Sequence, residues 1–467
     1  MSKKARIIAV LIVGCAIWFA PVPAGLTPKA LHLFAIMAAT ILGYILQPVP
    51  MGAIGLTAVA VCVITKTTTM AEGLSGYGNV TSWLVAAAIL FARGFINSGL
   101  GTRIAYVLIN KLGSNSLKLG YAIILSDLII APATPSNTAR AGGILYPIVR
   151  SLAIAFGSNP DEASRRKLGA YMTQLLYQSV VITSMMFITA IASNSLVVSF
   201  SKQVANIELS WFTWALAASV PGIICLIAIP VIMQKVYPPE IRETTAAREL
   251  AAKELEKMGP MTKKEKIVAG VFIGALVLWA TSTWTGLNST AVAILAIVVN
   301  VWLGAMTYKD VLQETMAWDN LLWMGTLIGL AGLLVKFGFI KWMAALVAGY
   351  LAGVSWITAL YILSFAYILS HYFFAGTSSH VSAMYAAFLA VVISAGAPPY
   401  YAALFLGFVS VLCSGLTHYG MGPSPLLFGA GYVTQGEWWK LGIIFAIFNC
   451  VVWFGIGSAW WKIIGLW

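Results

Sequence analysis

Charged side chains are scarce in this chain of 467 residues. Only 9% of its residues are Asp, Glu, Lys or Arg, whereas 60% are hydrophobic and the mean hydropathy is +0.89. A soluble domain carries roughly 25% charged residues, so this composition excludes a soluble enzyme and a disordered chain. Apolar runs that could each supply a span of about 20 residues recur along the whole sequence. The composition therefore predicts an all-α polytopic membrane protein.

Cysteine is also sparse. All five cysteines lie in apolar runs, their number is odd, and no two share a metal-ligand spacing. This pattern argues against a disulfide scaffold and a metal site, and it predicts buried free thiols. No cofactor is expected. The five are Cys15, Cys62, Cys225, Cys413 and Cys450.

Acidic residues are fewer than basic ones, 15 against 28, which gives a net charge of +13. In a membrane protein such an excess is first tested against the positive-inside rule. With a cytoplasmic N-terminus, six basic residues face outward and two, Arg93 and Arg140, lie inside spans, which leaves twenty of the 28 on the cytoplasmic side. We therefore expect a multi-pass protein of the cell's inner (plasma) membrane with a cytoplasmic N-terminus, in contact with the lipid bilayer and without a nucleic-acid partner.

The apolar runs form one leading span followed by two similar sets. Each set contains two spans, a long span, a hairpin, an interrupted span and a last span, and the long spans begin similarly at Asn79 and Trp318. An odd number of crossings per set places the second set on the opposite side, which is the inverted-topology repeat of many secondary transporters. The predicted segments are the first transmembrane helix at 1–28, the first repeat at 29–236 with a hairpin at 116–155, a cytoplasmic linker at 237–265, and the second repeat at 266–467 with a hairpin at 353–396.

Polar residues interrupt each repeat twice, in the hairpin and in the interrupted span. In the first hairpin, Pro132 and Pro135 end the incoming helix, and Ser136, Asn137 and Thr138 follow where the returning helix should begin. One of these three could be an ordinary helix cap, but three in succession exceed what a cap needs. Irregular backbone at membrane depth is tolerated where it is buried in protein or lines a cavity, so we expect a ligand site here.

The second hairpin matches the first. Gly376 is expected at its turn, Thr377 and Ser378 open its returning helix, and His380 corresponds to Arg140 of the first hairpin. The interrupted spans add further polar groups, and the alternative for these is a pair of kinks packed on neighbouring helices. Those groups are Ser193 and Asn194 in the first span and Thr417 and Tyr419 in the second.

These features predict a cavity with two helix N-termini, hydroxyl and amide donors, and few acidic groups. Backbone N–H groups at helix N-termini and Ser, Thr or Asn side chains bind oxyanions. Two matching hairpin tips suggest a ligand with two anionic ends, such as a dicarboxylate.

At these residues the sequence resembles the divalent anion:sodium symporter (DASS) superfamily. The SNT motif at Ser136–Thr138 resembles the superfamily signature, and GLTHYGMGPSPLLFGAGYV from Gly415 resembles the exchanger branch. That branch includes plastid 2-oxoglutarate/malate translocators and bacterial citrate, tartrate and succinate antiporters. The resemblance covers essentially the whole chain. It implies about eleven transmembrane helices, two re-entrant hairpins, a homodimer, and a transport domain that moves as an elevator.

The second hairpin departs from the pattern of sodium-coupled relatives. As the resemblance implies, sodium-coupled relatives carry the SNT motif in both hairpins. This chain instead has Gly376, Thr377 and Ser378 at the second tip. The resemblance implies that sodium binds in such relatives at the hairpin tips and beside the broken helices. In this chain Arg140 and His380 lie close to the corresponding positions. One hypothesis is that these two residues are fixed positive charges that replace the coupling cations. The alternative is that Arg140 pairs with Asp127 and that His380 is a buried, hydrogen-bonded residue.

The function expected from these features is exchange of di- or tricarboxylates by sodium-independent, elevator-type antiport. Succinate, malate, fumarate and 2-oxoglutarate are examples of such substrates. A sodium- or proton-coupled dicarboxylate symporter and a passive anion channel are alternatives. An intramembrane hydrolase is disfavoured because the adjacent pairs Ser379-His380 and Thr417-His418 point in different directions on a helix, so no enzyme is expected.

Overall fold

A computed structural model describes residues 2–350, 353–374 and 376–467, and every regular element in these ranges is a helix. Eight of the described helical segments are long and apolar enough to cross a membrane, and three of the eight are hairpin arms. The prediction of an all-α polytopic membrane protein is confirmed.

The first helix, α1 (Lys3–Trp18), has no buried residue, and the Ser2 hydroxyl accepts a hydrogen bond from the Ala5 N–H at its start. The prediction that all five cysteines are buried is wrong for Cys15, which is exposed on this helix because α1 packs mainly on α2 in the described part of the chain. Cys62 and Cys225 are buried as predicted, and Cys450 is half-buried. The side chain of Cys413 lies outside the described part of the chain.

The helices that follow α1 keep the predicted order. The long apolar run at 80–110, however, is two helices rather than one, because the chain turns at Gly99 with a φ of +80°. This left-handed conformation favours glycine and is common after a helix C-terminus. The helices are α2 (Pro28–Leu46), α3 (Met51–Ile64), α4 (Met70–Leu74), α5 (Val80–Ser98), α6 (Leu100–Leu112), α7 (Ser116–Ile130), α8 (Tyr146–Ala155), α9 (Gly169–Met186), α10 (Ala192–Ala205) and α11 (Trp211–Val236).

The hydrophilic segment at 237–265 contains the helix α12 (Thr245–Met258), as its composition suggested. One face of α12 is buried through Ala247 and Ala251, because this helix packs along α6. The next helix begins inside the predicted linker, at Lys263, since Thr262 and Glu265 form a capping box there.

The second set of helices has the same order, and its long run at 317–349 is also divided, by Gly338 with a φ of +82°. The two dividing glycines stand at equivalent places in the two sets. The repeat boundaries themselves stay a prediction. The helices are α13 (Lys263–Ala280), α14 (Ser282–Thr285), α15 (Ser289–Trp302), α16 (Tyr308–Gln313), α17 (Thr315–Lys336), α18 (Phe339–Tyr350), α19 (Trp356–Ser370), α20 (Thr377–His380), α21 (Ala386–Ser394), α22 (Pro399–Leu412), α23 (Ser424–Gly429), α24 (Gln435–Val451) and α25 (Ser458–Ile463).

Two helices form the centre of the molecule. Every residue of α9 is buried, and α22 is buried from Tyr401 to Leu412. Both end at a break in the chain, α9 at Phe187 and α22 at a short 3-10 turn that begins at Cys413. The polar interruptions therefore lie in the interior, against the hairpins.

Candidate functional site

The first hairpin breaks where its two prolines lie. After α7 the chain forms a 3-10 turn (Ala131–Ala133), then extended backbone at Thr134, and a π-helix (Ala139–Leu145) leads into α8. Proline has no N–H to continue the helix and restricts the residue before it. The tip therefore leaves helical geometry at Thr134 and re-enters it near Ser136.

The three polar residues of the first tip have different surroundings. The Ser136 hydroxyl accepts a hydrogen bond from the Ala139 N–H at 3.2 Å, so this residue is the helix cap. Asn137 is buried, and its Nδ2 donates to the Ser184 hydroxyl at 3.4 Å. Thr138 lies against Gly422 of the second interrupted span. One of the three is thus a cap, and the other two face the interior of the protein.

Arg140 is fully buried and donates to oxygen atoms in five hydrogen bonds. Its Nε donates to Asp127 Oδ1 at 2.5 Å, and its Nη1 donates to the carbonyl oxygens of Thr134 at 3.0 Å and Ala190 at 3.3 Å. Its Nη2 donates to the hydroxyls of Thr183 at 3.2 Å and Ser184 at 3.3 Å. The guanidinium therefore fills an oxygen-lined cradle between the hairpin tip and the break after α9.

The ion pair with Asp127 is the arrangement that the sequence offered as an alternative. Both side chains are fully buried, and the opposite formal charges of the ion pair cancel. The position of Arg140 in a cradle of carbonyls, hydroxyls and a carboxylate is nevertheless one that suits a cation, because hard cations take oxygen ligands. That Arg140 replaces a coupling cation stays a prediction. In this arrangement Asp127 compensates the charge of Arg140.

The first interrupted span breaks as predicted. Its backbone is extended at Phe187 and Ile191, on either side of a 3-10 turn. Asn194 Nδ2 donates to the carbonyl oxygens of Ser184 at 2.7 Å and Phe187 at 2.8 Å, which satisfies groups at the end of α9. Asn194 Oδ1 and the hydroxyl of Ser193 are buried and have no hydrogen-bond partner within the described ranges.

The second hairpin has the same construction as the first. A 3-10 turn (His371–Phe373) follows α19, and a π-helix (Val381–Tyr385) joins α20 to α21. Gly376 directly precedes α20, and its φ of 168° is extended backbone that any residue adopts. Thr377 is buried, and the Ser378 carbonyl accepts from the Ser382 hydroxyl at 2.6 Å.

His380 lies in an aromatic pocket of the second hairpin. It is fully buried, its Nε2 lies 2.8 Å from the Ser370 hydroxyl, and its ring contacts those of Tyr367 and Phe374. Within the described ranges it has no carboxylate partner, in contrast to Arg140. Its ring centroid lies 4.9 Å from that of His371, a second buried histidine that the sequence reasoning did not single out.

A bridging loop (416–423) joins the two hairpins. On one side, His371 Nε2 lies 2.9 Å from the carbonyl oxygen of Gly420. On the other side, a Cβ on Gly422 would clash with the Thr138 hydroxyl and lie 3.6 Å from Asn137 Oδ1. No hydrogen bond within the described ranges joins the two tips directly, so this loop is their link.

The other residues of the second break hold the bridging loop in place. The Tyr419 hydroxyl donates to the Tyr372 carbonyl at 3.1 Å. The Tyr177 hydroxyl of α9 lies 2.6 Å from the Ser414 carbonyl oxygen and accepts from Ser424 at 2.8 Å. Tyr177 was not predicted, since nothing in the sequence around it distinguishes it from a core aromatic.

Several buried polar atoms around the two breaks have no hydrogen-bond partner within the described part of the chain. Buried polar groups are normally paired, and each exception calls for an explanation such as an unseen water or ligand. Three of the predicted site residues, Ser193, Asn194 and Thr417, are among the exceptions, and their hydroxyl and amide groups can bind a polar ligand. The exceptions include Thr134 Oγ1, Ser193 Oγ, Asn194 Oδ1 and Thr417 Oγ1, together with both side-chain atoms of Gln174 and Gln178.

Comparison with known proteins places this architecture in a family. The family described as "Sodium:sulfate symporter transmembrane region" matches residues 1–467. The chain is 46% identical over 465 residues to the putative malate transporter YflS of Bacillus subtilis, covering 100% of this chain and 97% of that protein. It is 43% identical over 463 residues to dicarboxylate transporter 1 of Arabidopsis thaliana chloroplasts, covering 99% of this chain and 83% of the relative.

Two further comparisons agree on a membrane protein of this fold. The inner membrane protein YbhI of Escherichia coli is 38% identical over 479 residues, covering 100% of this chain and 99% of that protein. The crystal structure of the YdaH transporter of Alcanivorax borkumensis shares the fold, with a TM-score of 0.54, 11% identity, and coverage of 87% of this chain and 90% of that one. This multi-pass membrane chain therefore belongs to the sodium:sulfate symporter family of the DASS superfamily, as its motifs indicated, and it is a transporter rather than an enzyme.

Proposed function

We propose that this protein exchanges di- or tricarboxylates, such as succinate, malate, fumarate or 2-oxoglutarate, across the cytoplasmic membrane without sodium. The proposal includes an elevator-type movement of a transport domain that contains the two hairpins, and a homodimeric assembly. Relatives named as malate and dicarboxylate transporters cover nearly the whole chain, which supports the substrate class.

The donors around the two breaks support a carboxylate ligand. Asn137 and Thr138 at the first tip, and Thr377 and Ser378 at the second, supply hydroxyl, amide and backbone N–H groups. Carboxylates accept hydrogen bonds from such donors at the start of a helix. In the proposal, each tip binds one end of the substrate, while Ser193, Asn194, Thr417 and Tyr419 complete the site from the broken spans and Gly376 leaves space beside the second tip.

The single observation that carries sodium independence is the position of the Arg140 guanidinium. It occupies an oxygen cradle formed by a carboxylate, two carbonyls and two hydroxyls. A cation that is part of the protein cannot dissociate, so no ion gradient can be used at this place. His380 is the corresponding group of the second hairpin, and in the proposal it takes the same role.

Exchange, in this proposal, follows from the partial charges at the hairpin tips, since the charge of Arg140 is compensated by Asp127. The helix ends at the two tips carry partial positive charge, and a bound dicarboxylate compensates it. When no coupling ion is bound, an empty site would have to carry this charge through the membrane uncompensated, which is costly at low dielectric. The loaded site therefore crosses more readily than the empty one, which is the condition for antiport.

A counterflow panel in proteoliposomes tests the substrate class. Vesicles are loaded with unlabelled succinate, malate, fumarate, 2-oxoglutarate, tartrate, citrate or inorganic sulfate, and entry of labelled succinate is measured. We expect at least one of the dicarboxylates to support entry and sulfate to support none. Entry supported by sulfate alone, or by none of the acids, would overturn the proposed substrate class.

A further inference from the structure

A groove with a volume of about 460 Å³ lies between α1 and α3, with α2 as its floor. Its size falls within the ~300–1,000 Å³ of small-molecule sites. Its lining is apolar, and its three threonines offer no free donor: Thr40, Thr57 and Thr65 each donate to the carbonyl four residues earlier in their own helix. The groove therefore suits a hydrocarbon ligand.

The groove has the length of one acyl chain. Its lining extends from Ile7 on α1 to Phe19 at the end of that helix, which corresponds to about 18 Å at ~1.5 Å per helical residue. Half of the hydrocarbon core of a bilayer is about 15 Å thick. The groove also opens to the outside of the protein, since its lining residues Leu11 and Phe19 are 60% and 81% exposed.

One end of the groove carries unneutralised positive charge. Lys3 and Lys4 are exposed immediately before Ile7, and Arg6 Nη1 donates to the Leu46 carbonyl at 3.1 Å at the end of α2. None of these three cations forms an ion pair within the described ranges.

Carboxylates are rare near these cations. The first acidic residue of the sequence is Glu72, and the Asp319 carboxylate near the start of α3 accepts a hydrogen bond from the Gly52 N–H. At the other end of the groove Lys66 follows Thr65, and Lys29 near the start of α2 lies over the ring of Phe337. Lys3, Lys4 and Arg6 therefore form a cluster of positive charge that an anion from outside the chain could neutralise.

We propose that this groove binds one acyl chain of an anionic phospholipid, whose headgroup is bound by Lys3, Lys4 and Arg6. The apolar lining accounts for the chain, and the unpaired cations account for the headgroup. Basic residues beside a membrane helix attract anionic lipid in the same way.

Native mass spectrometry of delipidated protein tests this proposal. Phosphatidylglycerol or phosphatidylcholine is added back in detergent, and the lipids retained per protomer are counted. We expect one tightly retained phosphatidylglycerol, with phosphatidylcholine retained at least tenfold more weakly. Equal retention of the two lipids would overturn the proposal, because it would indicate nonspecific lipid contact only.

Two pairs of variants locate the lipid. Thr57→Trp fills the groove and should abolish tight retention, whereas Ala60→Trp, exposed on the same helix outside the groove, should not. Lys3→Gln with Lys4→Gln should weaken retention about tenfold, whereas Lys263→Gln with Lys264→Gln should leave it unchanged. Counterflow activity shows that each variant is folded, and equal retention by a variant and its control would contradict the assigned place.

Cys15, which lines the groove, tests the other possible occupant, a second copy of this chain. With the remaining cysteines replaced by alanine, a bifunctional maleimide should give little cross-linked dimer through Cys15. Efficient cross-linking in the membrane, together with loss of phosphatidylglycerol retention, would show that a partner protomer covers the groove and would overturn the lipid assignment.

Discussion

Five hydrogen bonds hold the Arg140 side chain, and each goes to an oxygen atom. Removing one partner of a buried ion pair costs about 3–5 kcal/mol because the other charge is left uncompensated. The loss of exchange in Arg140→Ala alone would therefore not separate a role in transport from a role in stability. Removing Asp127 as well separates them, because the double variant buries no unpaired charge.

We expect Arg140→Ala to abolish exchange and to lower the apparent Tm. Arg140→Ala combined with Asp127→Ala should restore much of the Tm but not the exchange, since no cation then occupies the cradle. Initial rates in proteoliposomes and thermal unfolding of the purified protein measure the two quantities. Recovery of near-normal exchange in the double variant would show that Arg140 serves only to neutralise Asp127.

A comparison within the first tip tests the substrate site. Thr138→Val keeps the shape of the side chain and removes its hydroxyl, so the KM for the dicarboxylate should rise tenfold or more, as expected when a site loses a hydrogen bond to its ligand. Ser136→Ala removes a hydroxyl that already caps the helix, so it should lower stability by about 1 kcal/mol with a smaller effect on KM. Equal KM effects in the two variants would contradict the assignment of Thr138 to the substrate.

At the residue level, the sequence indicated which polar groups stand at the breaks but not how they are paired. Asp127 lies 13 positions before Arg140 in the same hairpin, so their pairing could be proposed. Thr183 and Ser184 lie more than 40 positions away on α9, in a run that looks like a buried span. Their contact with Arg140 depends on how the hairpin packs, which residue spacing does not define.

The bridging loop is the element that connects the two hairpins. Gly422→Ala would push a methyl group into the Thr138 hydroxyl, and such overpacking typically costs about 1–3 kcal/mol. We expect strongly reduced exchange with a raised KM. Gly429→Ala, on α23 with no atom within 4 Å of an added Cβ, is the matched control and should behave as wild type. Unchanged kinetics in Gly422→Ala would show that the loop does not position the first tip.

A second close contact holds α17 against the 3-10 helix at Ser75–Gly78. A Cβ on Gly76 would clash with the carbonyl oxygen of Gly325 and lie 2.6 Å from the Gly329 nitrogen. Gly76→Ala should therefore lower the apparent Tm, whereas Gly78→Ala, with open space around the added Cβ, should change it little. Thermal unfolding in detergent measures both, and equal Tm values would refute this contact as a source of stability.

The broken helices were predictable because proline, glycine and polar residues interrupt apolar runs. The divisions at Gly99 and Gly338 were missed because the apolar pattern continues past them. A polar residue followed by glycine, as in Ser98-Gly99, is a helix-end signal that would have indicated the first division.

At the scale of the whole molecule, the order of the apolar spans could be predicted because it depends on composition over many residues. The unequal distribution of basic residues between loops could be counted in the same way. The two predicted hairpins match in that both pass through a 3-10 turn and a π-helix, whereas the inversion of the second repeat stays a prediction. Orientation and the number of protomers stay predictions, because they depend on a membrane and a partner chain and not on contacts within one chain.

The most direct test of the central claim is uptake of labelled succinate into proteoliposomes, with the vesicle lumen and the sodium gradient varied independently. The account predicts uptake only into vesicles that contain an internal dicarboxylate, at the same rate when choline replaces sodium. Strong uptake into empty vesicles, driven by an inward sodium gradient, would instead show a sodium-coupled symporter. A proton gradient that drives uptake into empty vesicles would show a proton-coupled one, and either result would contradict exchange.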